Sequence, residues 1–129
     1  LAEAAQMAGV ETNLEYAIFQ NCGYQGLYGG LGAKEIAARK GLKKSQNILD
    51  HMGSTELAAN LFRATQTDEK LRKEHIQGKE AANRTHREVG EKVRQTIKEL
   101  GGTMPEDLPT PDKSIKQLER EQRKQLKGK

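Results

Sequence analysis

The side chains with most to offer chemically are cations. Lys40, Lys43 and Lys44 surround Gly41; Arg84, Arg87, Lys92 and Arg94 recur along one helical pattern; Arg120, Arg123 and Lys124 fall in the tail. Guanidinium and ammonium groups of this kind bind phosphate or carboxylate, and arginine can do so through two parallel hydrogen bonds. Other chemistries find less support. The run Gly23 to Gly32, GYQGLYGGLG, is rich in glycine and precedes a helix. It lacks GKS or GKT and follows no strand, so it fails as a phosphate loop and reads as a tight turn on which Tyr24, Leu27 and Tyr28 pack. His51, His75 and His86 form no HExxH pattern and are widely spaced, so no metal set is expected. His86 is read as a packing residue with one hydrogen bond. Neither Ser45 nor Ser54 lies in GxSxG, and no carboxylate pair stands isolated among apolar residues, so neither catalysis nor a cofactor is expected.

Composition sets the frame that must position these groups. The chain has 129 residues, 34% apolar against 31% charged, with two Phe, three Tyr and no Trp, which predicts one thin-cored domain with helical appendages. Cys22 is the single cysteine; it can form no internal disulfide, is read as a small buried apolar residue, and fits a reducing cytoplasm. No apolar run approaches the roughly 20 residues of a membrane span, so a cytoplasmic chain that neither spans nor is secreted is expected. The net charge of +4 is polarised: residues 1–33 carry only Glu3, Glu11 and Glu15, whereas the last residues are mostly Lys and Arg. That asymmetry favours an anionic partner.

Periodicity predicts an all-α fold: several short helices around a glycine-rich turn, one long mixed-charge helix, and a basic C-terminal helix. The chain opens in a helix at Leu1 to Ala8, without Met, and is read as a piece of a longer protein. A second helix carries Leu14, Ile18 and Phe19 and breaks at Gly23. Two short helices follow, one ending at Gly41 and one capped by Ser45 with Ile48, Leu49 and Met52 inward; together they would form a helix-turn-helix over 33–52. Lys34, Arg39, Lys40, Lys43 and Lys44 would then lie near the turn. Ser54 is expected to cap a helix whose Leu57, Ala58, Leu61 and Phe62 face the core. Ala82, His86, Val89, Val93, Ile97 and Leu100 make one narrow stripe on the helix from Lys79, closed by Gly101-Gly102. Gly90, off that stripe, marks close approach of another helix. Pro105, Pro109 and Pro111 define a linker, and a last helix from Asp112, its expected cap, carries Ile115, Leu118 and Leu126. The expected organisation is a helical domain over 1–104, a linker over 105–111 and a basic helical tail over 112–129. No strand signal competes.

The succession GLYGGLGAKEIAARKGL, ILDHMGSTELAANLFRATQTDEKL and KEAANRTHREVGEKVRQTIKELGGTMPEDLPTPDKSIKQLER resembles the C-terminal half of the damage-inducible protein D (DinD) family. The likeness is strongest over residues 23–120, and its most specific elements are the Asn83–Arg94 helix and the Pro105-Glu106-Asp107-Leu108-Pro109 motif. The resemblance implies a bacterial SOS-response protein without catalytic activity, preceded by a BRO-type domain. It also implies association with RecA-coated single-stranded DNA. The partners it suggests are a RecA-type recombinase filament and/or DNA, with no membrane and a possible homodimer. Two other readings stand beside it: a DNA-binding regulator of antirepressor type using residues 33–52, and a dimerisation scaffold for a missing N-terminal domain.

Overall fold

The computed structural model describes residues 1–112 and 114–127. They form six α-helices, α1 (Ala2–Met7), α2 (Asn13–Leu27), α3 (Ala33–Arg39), α4 (Ser54–Lys73), α5 (Lys79–Glu99) and α6 (Ile115–Lys127), with 3-10 turns at Ile48–His51 and Pro105–Asp107. The fold is all-α, as the periodicity predicts, with no strand among the described residues.

The centre of the molecule is the packing of α2 on α5. Thr12 and Glu15 start α2 with a reciprocal capping box, Glu15 N–H to Thr12 Oγ1 at 3.1 Å and Thr12 N–H to Glu15 Oε1 at 3.0 Å. Lys79 at the start of α5 reaches Glu15 at 3.0 Å, and Arg94 near its end donates to the Leu27 carbonyl at 3.1 Å, so the two helices run parallel. Contrary to the expected break at Gly23, α2 continues through Gly23 and Gly26 to Leu27. The glycines serve contact rather than turning: a Cβ on Gly26 would strike the Arg87 carbonyl, and one on Gly90 would come within 2.8 Å of the Gly23 carbonyl oxygen. Gly90 thus marks a close helix approach, as anticipated. The turn itself comes later, at Gly29 and Gly30 with φ of 65° and 102°.

Helix α4 runs antiparallel to α5 and closes the bundle, and its orientation corrects the expected stripe. Leu61 and Phe62 are each 54% exposed, while Glu56, Asn60, Arg63, Thr67 and Leu71 face inward. Its first helical residue is Ser54 itself, after Gly53 as cap. The polar second half is carried by the i,i+4 pairs Asp68–Arg72, Glu69–Lys73 and Lys70–Glu74. Two apolar clusters result. Ala4, Ala5, Ala8, Val10, Phe19, Leu71 and Ala82 hold α1 to the end of α4 and to the N-terminal halves of α2 and α5. Tyr24, Leu27, Tyr28, Ile36, Met52 and Val93 fill the other end. Cys22 is buried, and so are Tyr24, Leu27 and Tyr28, in line with the sequence.

The segment 33–52 departs most from expectation. Helix α3 forms and ends at Gly41 with φ 67°, but Ser45 caps nothing. Instead Asn47 accepts from Leu49 N–H and only the 3-10 turn Ile48–His51 follows. Four residues cannot make a groove-reading helix, so no helix-turn-helix forms. Leu100, expected on the α5 stripe, is 81% exposed at the cap of that helix. The last helix starts at Ile115 rather than Asp112: Gln117 N–H donates to Ser114 Oγ, and Ser114 N–H donates back to Gln117 Oε1. Its first turn docks on the Ile48–His51 turn through Lys116 N–H to Asp50 Oδ1 at 3.1 Å. No helix among the described residues is long and apolar enough to cross a membrane.

Candidate anion-binding cleft at the glycine turn

Where α2 ends against the second half of α5, the left-handed Gly29 and Gly30 leave the helix without side chains and open a cleft of about 770 Å³. Gln25, Arg87, Glu91, Arg94, Lys98 and Met104 form its wall. Arg87, Glu91, Arg94 and Lys98 advance by four, three and four residues and so share one face of α5. The Arg87 guanidinium is steered by Gln25 Oε1 at 2.6 Å. That of Arg94 lies flat on Gly29, where a Cβ would stand 2.8 Å from it, and meets Glu106 through two bonds of 2.8 Å each. Glu106 raises the Arg94 pKa further. The Glu106 carboxyl is half-buried, which opposes its ionisation, yet the Arg94 hydrogen bonds and charge outweigh burial and hold it below the usual carboxylate range. With Arg94 already paired to Glu106, Arg87 and Lys98 beside the glycine backbone, against Glu91, make a place where an anion can be held by charge-assisted hydrogen bonds.

The cleft gathers only two of the sequence-designated cations, Arg87 and Arg94. Arg84 is exposed one turn earlier on the same helix, and Lys92 lines a separate groove between α4 and α5. Lys43 and Lys44 are exposed in the turn after α3, and Arg120, Arg123 and Lys124 are exposed on α6. Lys40 is turned inward: its side chain is 6% exposed and its Nζ sits 2.7 Å from Glu56 Oε1, so its charge is already matched. Lys98 was not anticipated, although its spacing of four from Arg94 would have placed it.

A second polar cluster lies wholly inside. Tyr28 Oη donates to Glu56, Asn60 Nδ2 donates to Tyr28 Oη at 3.0 Å, and Arg63 donates to Asn60 Oδ1 at 3.2 Å and to His86. His86 Nδ1 meets the Phe19 carbonyl at 2.8 Å, so His86 has two partners, not the one expected. Because a carbonyl only accepts and a guanidinium only donates, Nδ1 carries the proton and Nε2 accepts. Burial, and then the Arg63 charge, push the His86 pKa down to about 3. These inward residues of α4, Glu56, Asn60, Arg63 and Thr67, escaped the sequence reading. Their spacing of four, three and four is as regular as that of an apolar stripe. Among the described residues, no group of His, Cys, Asp and Glu is placed to hold a metal.

The family model described as the DinD C-terminal domain matches residues 1–118. The chain belongs to that family. It is also similar to DNA damage-inducible protein D of Escherichia coli (strain K12), with 72% identity over 119 residues, covering 92% of this chain and 43% of that protein. The chain therefore spans less than half the length of the curated relative it matches. No solved structure matches it. For a DinD C-terminal domain, the cleft and the inward polar face of α4 are the two places where polar chemistry concentrates.

Proposed function

We propose that this domain is a non-enzymatic binding module of the DNA-damage response, which engages the phosphates of single-stranded DNA within a recombinase filament. The observation that carries the reading is the cleft at Gly29 and Gly30, where Arg87, Arg94 and Lys98 converge. Similarity to a protein named for induction by DNA damage supports the phosphodiester as the class of that anion. The chain has little aromatic surface on which bases could stack, with only five Phe and Tyr together. That supports recognition of a backbone already extended by protein over independent capture of bare strands. The regulator reading needs a two-helix element that residues 33–52 do not supply.

The test is fluorescence anisotropy of labelled single-stranded DNA, with and without a RecA-type recombinase locked by a non-hydrolysable nucleotide, near physiological salt. Binding to the filament should exceed binding to the bare strand. Arg87→Glu and Lys98→Glu should each weaken it by about tenfold, the size of one lost charge-assisted contact. Equal affinity for both DNA forms, or indifference to the two reversals, would refute the proposal.

A further inference from the structure

Two surfaces are left uncovered, and they fit each other. The first is a groove of about 830 Å³ between α4 and α5, with Phe62, Val89 and Val93 as its apolar floor. Phe62 is 54% exposed there. On the α5 rim stand Glu88, Glu91 and Lys92, none in an ion pair among the described residues, while the α4 carboxylates Glu69 and Glu74 are already paired with Lys73 and Lys70. The groove therefore offers an apolar floor and an α5 rim on which two carboxylates outnumber one lysine.

The second is the apolar side of α6, half-buried at Ile115 where the helix starts and exposed beyond it. At 100° per residue, Ile115, Leu118 and Leu126 fall on one side with Gln122 between them, and Leu118 and Leu126 are 44% and 76% exposed. Glu119, Arg123 and Lys116 border this stripe on one flank, two cations against one carboxylate, with no ion pair for Lys116 or Arg123 among the described residues. The 13 residues of α6 extend about 20 Å, and the groove from Phe62 to Lys73 along α4 extends about 17 Å. An amphipathic helix in an apolar groove is a standard mode of recognition, with flanking charges setting orientation. The chain's own α6 does not line the groove; it leans on the Ile48–His51 turn instead.

We infer that the chain pairs with a second copy of itself, α6 of each protomer lying in the α4–α5 groove of the other. Lys116 and Arg123 then face the partner's rim carboxylates, and the two docking events close a two-fold dimer without an open end. Arg120 and Lys124 lie on the opposite side of α6 and stay free for the contacts proposed above. The pairing needs no DNA and none of the cleft cations Arg87, Arg94 and Lys98, although Glu91 borders both sites.

Sedimentation equilibrium of the 129-residue chain without nucleic acid tests this directly. The wild type should show a concentration-dependent dimer. Phe62→Glu, which spoils the groove, and the double change Leu118→Asp with Leu126→Asp, which spoils the helix, should each raise the dimer dissociation constant by at least tenfold. All three positions are exposed, so helical circular dichroism should be unchanged. Mixing the two variants should restore a heterodimer, weaker than the wild-type dimer, because one intact groove then meets one intact helix. A wild type that stays monomeric throughout would overturn the inference. So would variants that dimerise normally, or a mixture that fails to associate while the wild type does.

Discussion

His86 is the residue on which most of the interior chemistry turns. It is fully buried, bonded at both nitrogens and neutral, beside the buried cation Arg63. The network's carboxylate, Glu56, reaches Arg63 only through Tyr28 and Asn60; Arg63 lies over the Tyr24 ring at 5.0 Å and donates to Asn60 and His86. Protonating His86 would remove the acceptor from Arg63 and set two cations together. Its pKa falls from the ordinary 6.5 to about 3 on folding, so between these values the unfolded chain binds the extra proton. The contribution of His86 is thus complete above pH 6.5 and is lost as the pH drops toward 3. Thermal unfolding followed from pH 7 to 4 should show a falling midpoint. His86→Gln should be less stable at pH 7 yet decline less steeply, and equal slopes for the two proteins would exclude this role. The sequence placed His86 on the inner stripe of α5, but its partners Arg63 and Phe19 lie 23 and 67 residues away, beyond the reach of local pattern.

At the scale of elements, the contact between α2 and α5 depends on missing side chains. Gly90→Ala adds intrinsic helix propensity of about 1 kcal/mol, but its methyl group would press on the backbone of Gly23, Gly26 and Leu27. Overpacking of this kind commonly costs about 1–3 kcal/mol, and here no flexible side chain can move aside. Chemical denaturation should therefore find Gly90→Ala destabilised, and a gain in stability would mean that the helices separate more easily than their packing suggests. Gly90 could be recognised in advance because it interrupts an otherwise regular helix. Gly23 and Gly26 were mistaken for a turn, since glycine carries the same signal whether it bends a chain or admits a neighbour. The α4 error has a different source. Leu61 and Phe62 outrank Asn60 and Arg63 in hydrophobicity, but Tyr28 and His86 present polar atoms to this helix, and buried polar atoms require partners.

For the molecule as a whole, the stretch after α5 is tied across the body. Glu106 clasps Arg94, its carbonyl receives Arg39 at 3.0 Å, and Thr110 accepts from Lys40 at 3.4 Å. The residues that lead toward α6 thereby bridge α5 and α3. Removing the clasp with Glu106→Ala should cost about 1–2 kcal/mol and raise amide hydrogen exchange over 104–112, while α2 and α5 keep their protection. Unchanged exchange there would show that the prolines alone hold this stretch. The candidate cleft was half legible in advance. Arg87 and Arg94 stood out as part of a basic ridge, but the glycine turn that faces them comes from residues more than 50 positions earlier.

The parallel pairing of α2 with α5 also sets a schedule for the chain as it is made. Leu27 ends α2 and Glu99 ends α5, 72 residues later. At a synthesis rate of roughly 5–20 residues per second, that interval lasts about 4–14 s. Throughout it the glycine face of α2 has no mate, and α4, whose inner side is polar, is a poor substitute. The α2–α5 contact at the centre of the bundle therefore cannot form until α5 has been made.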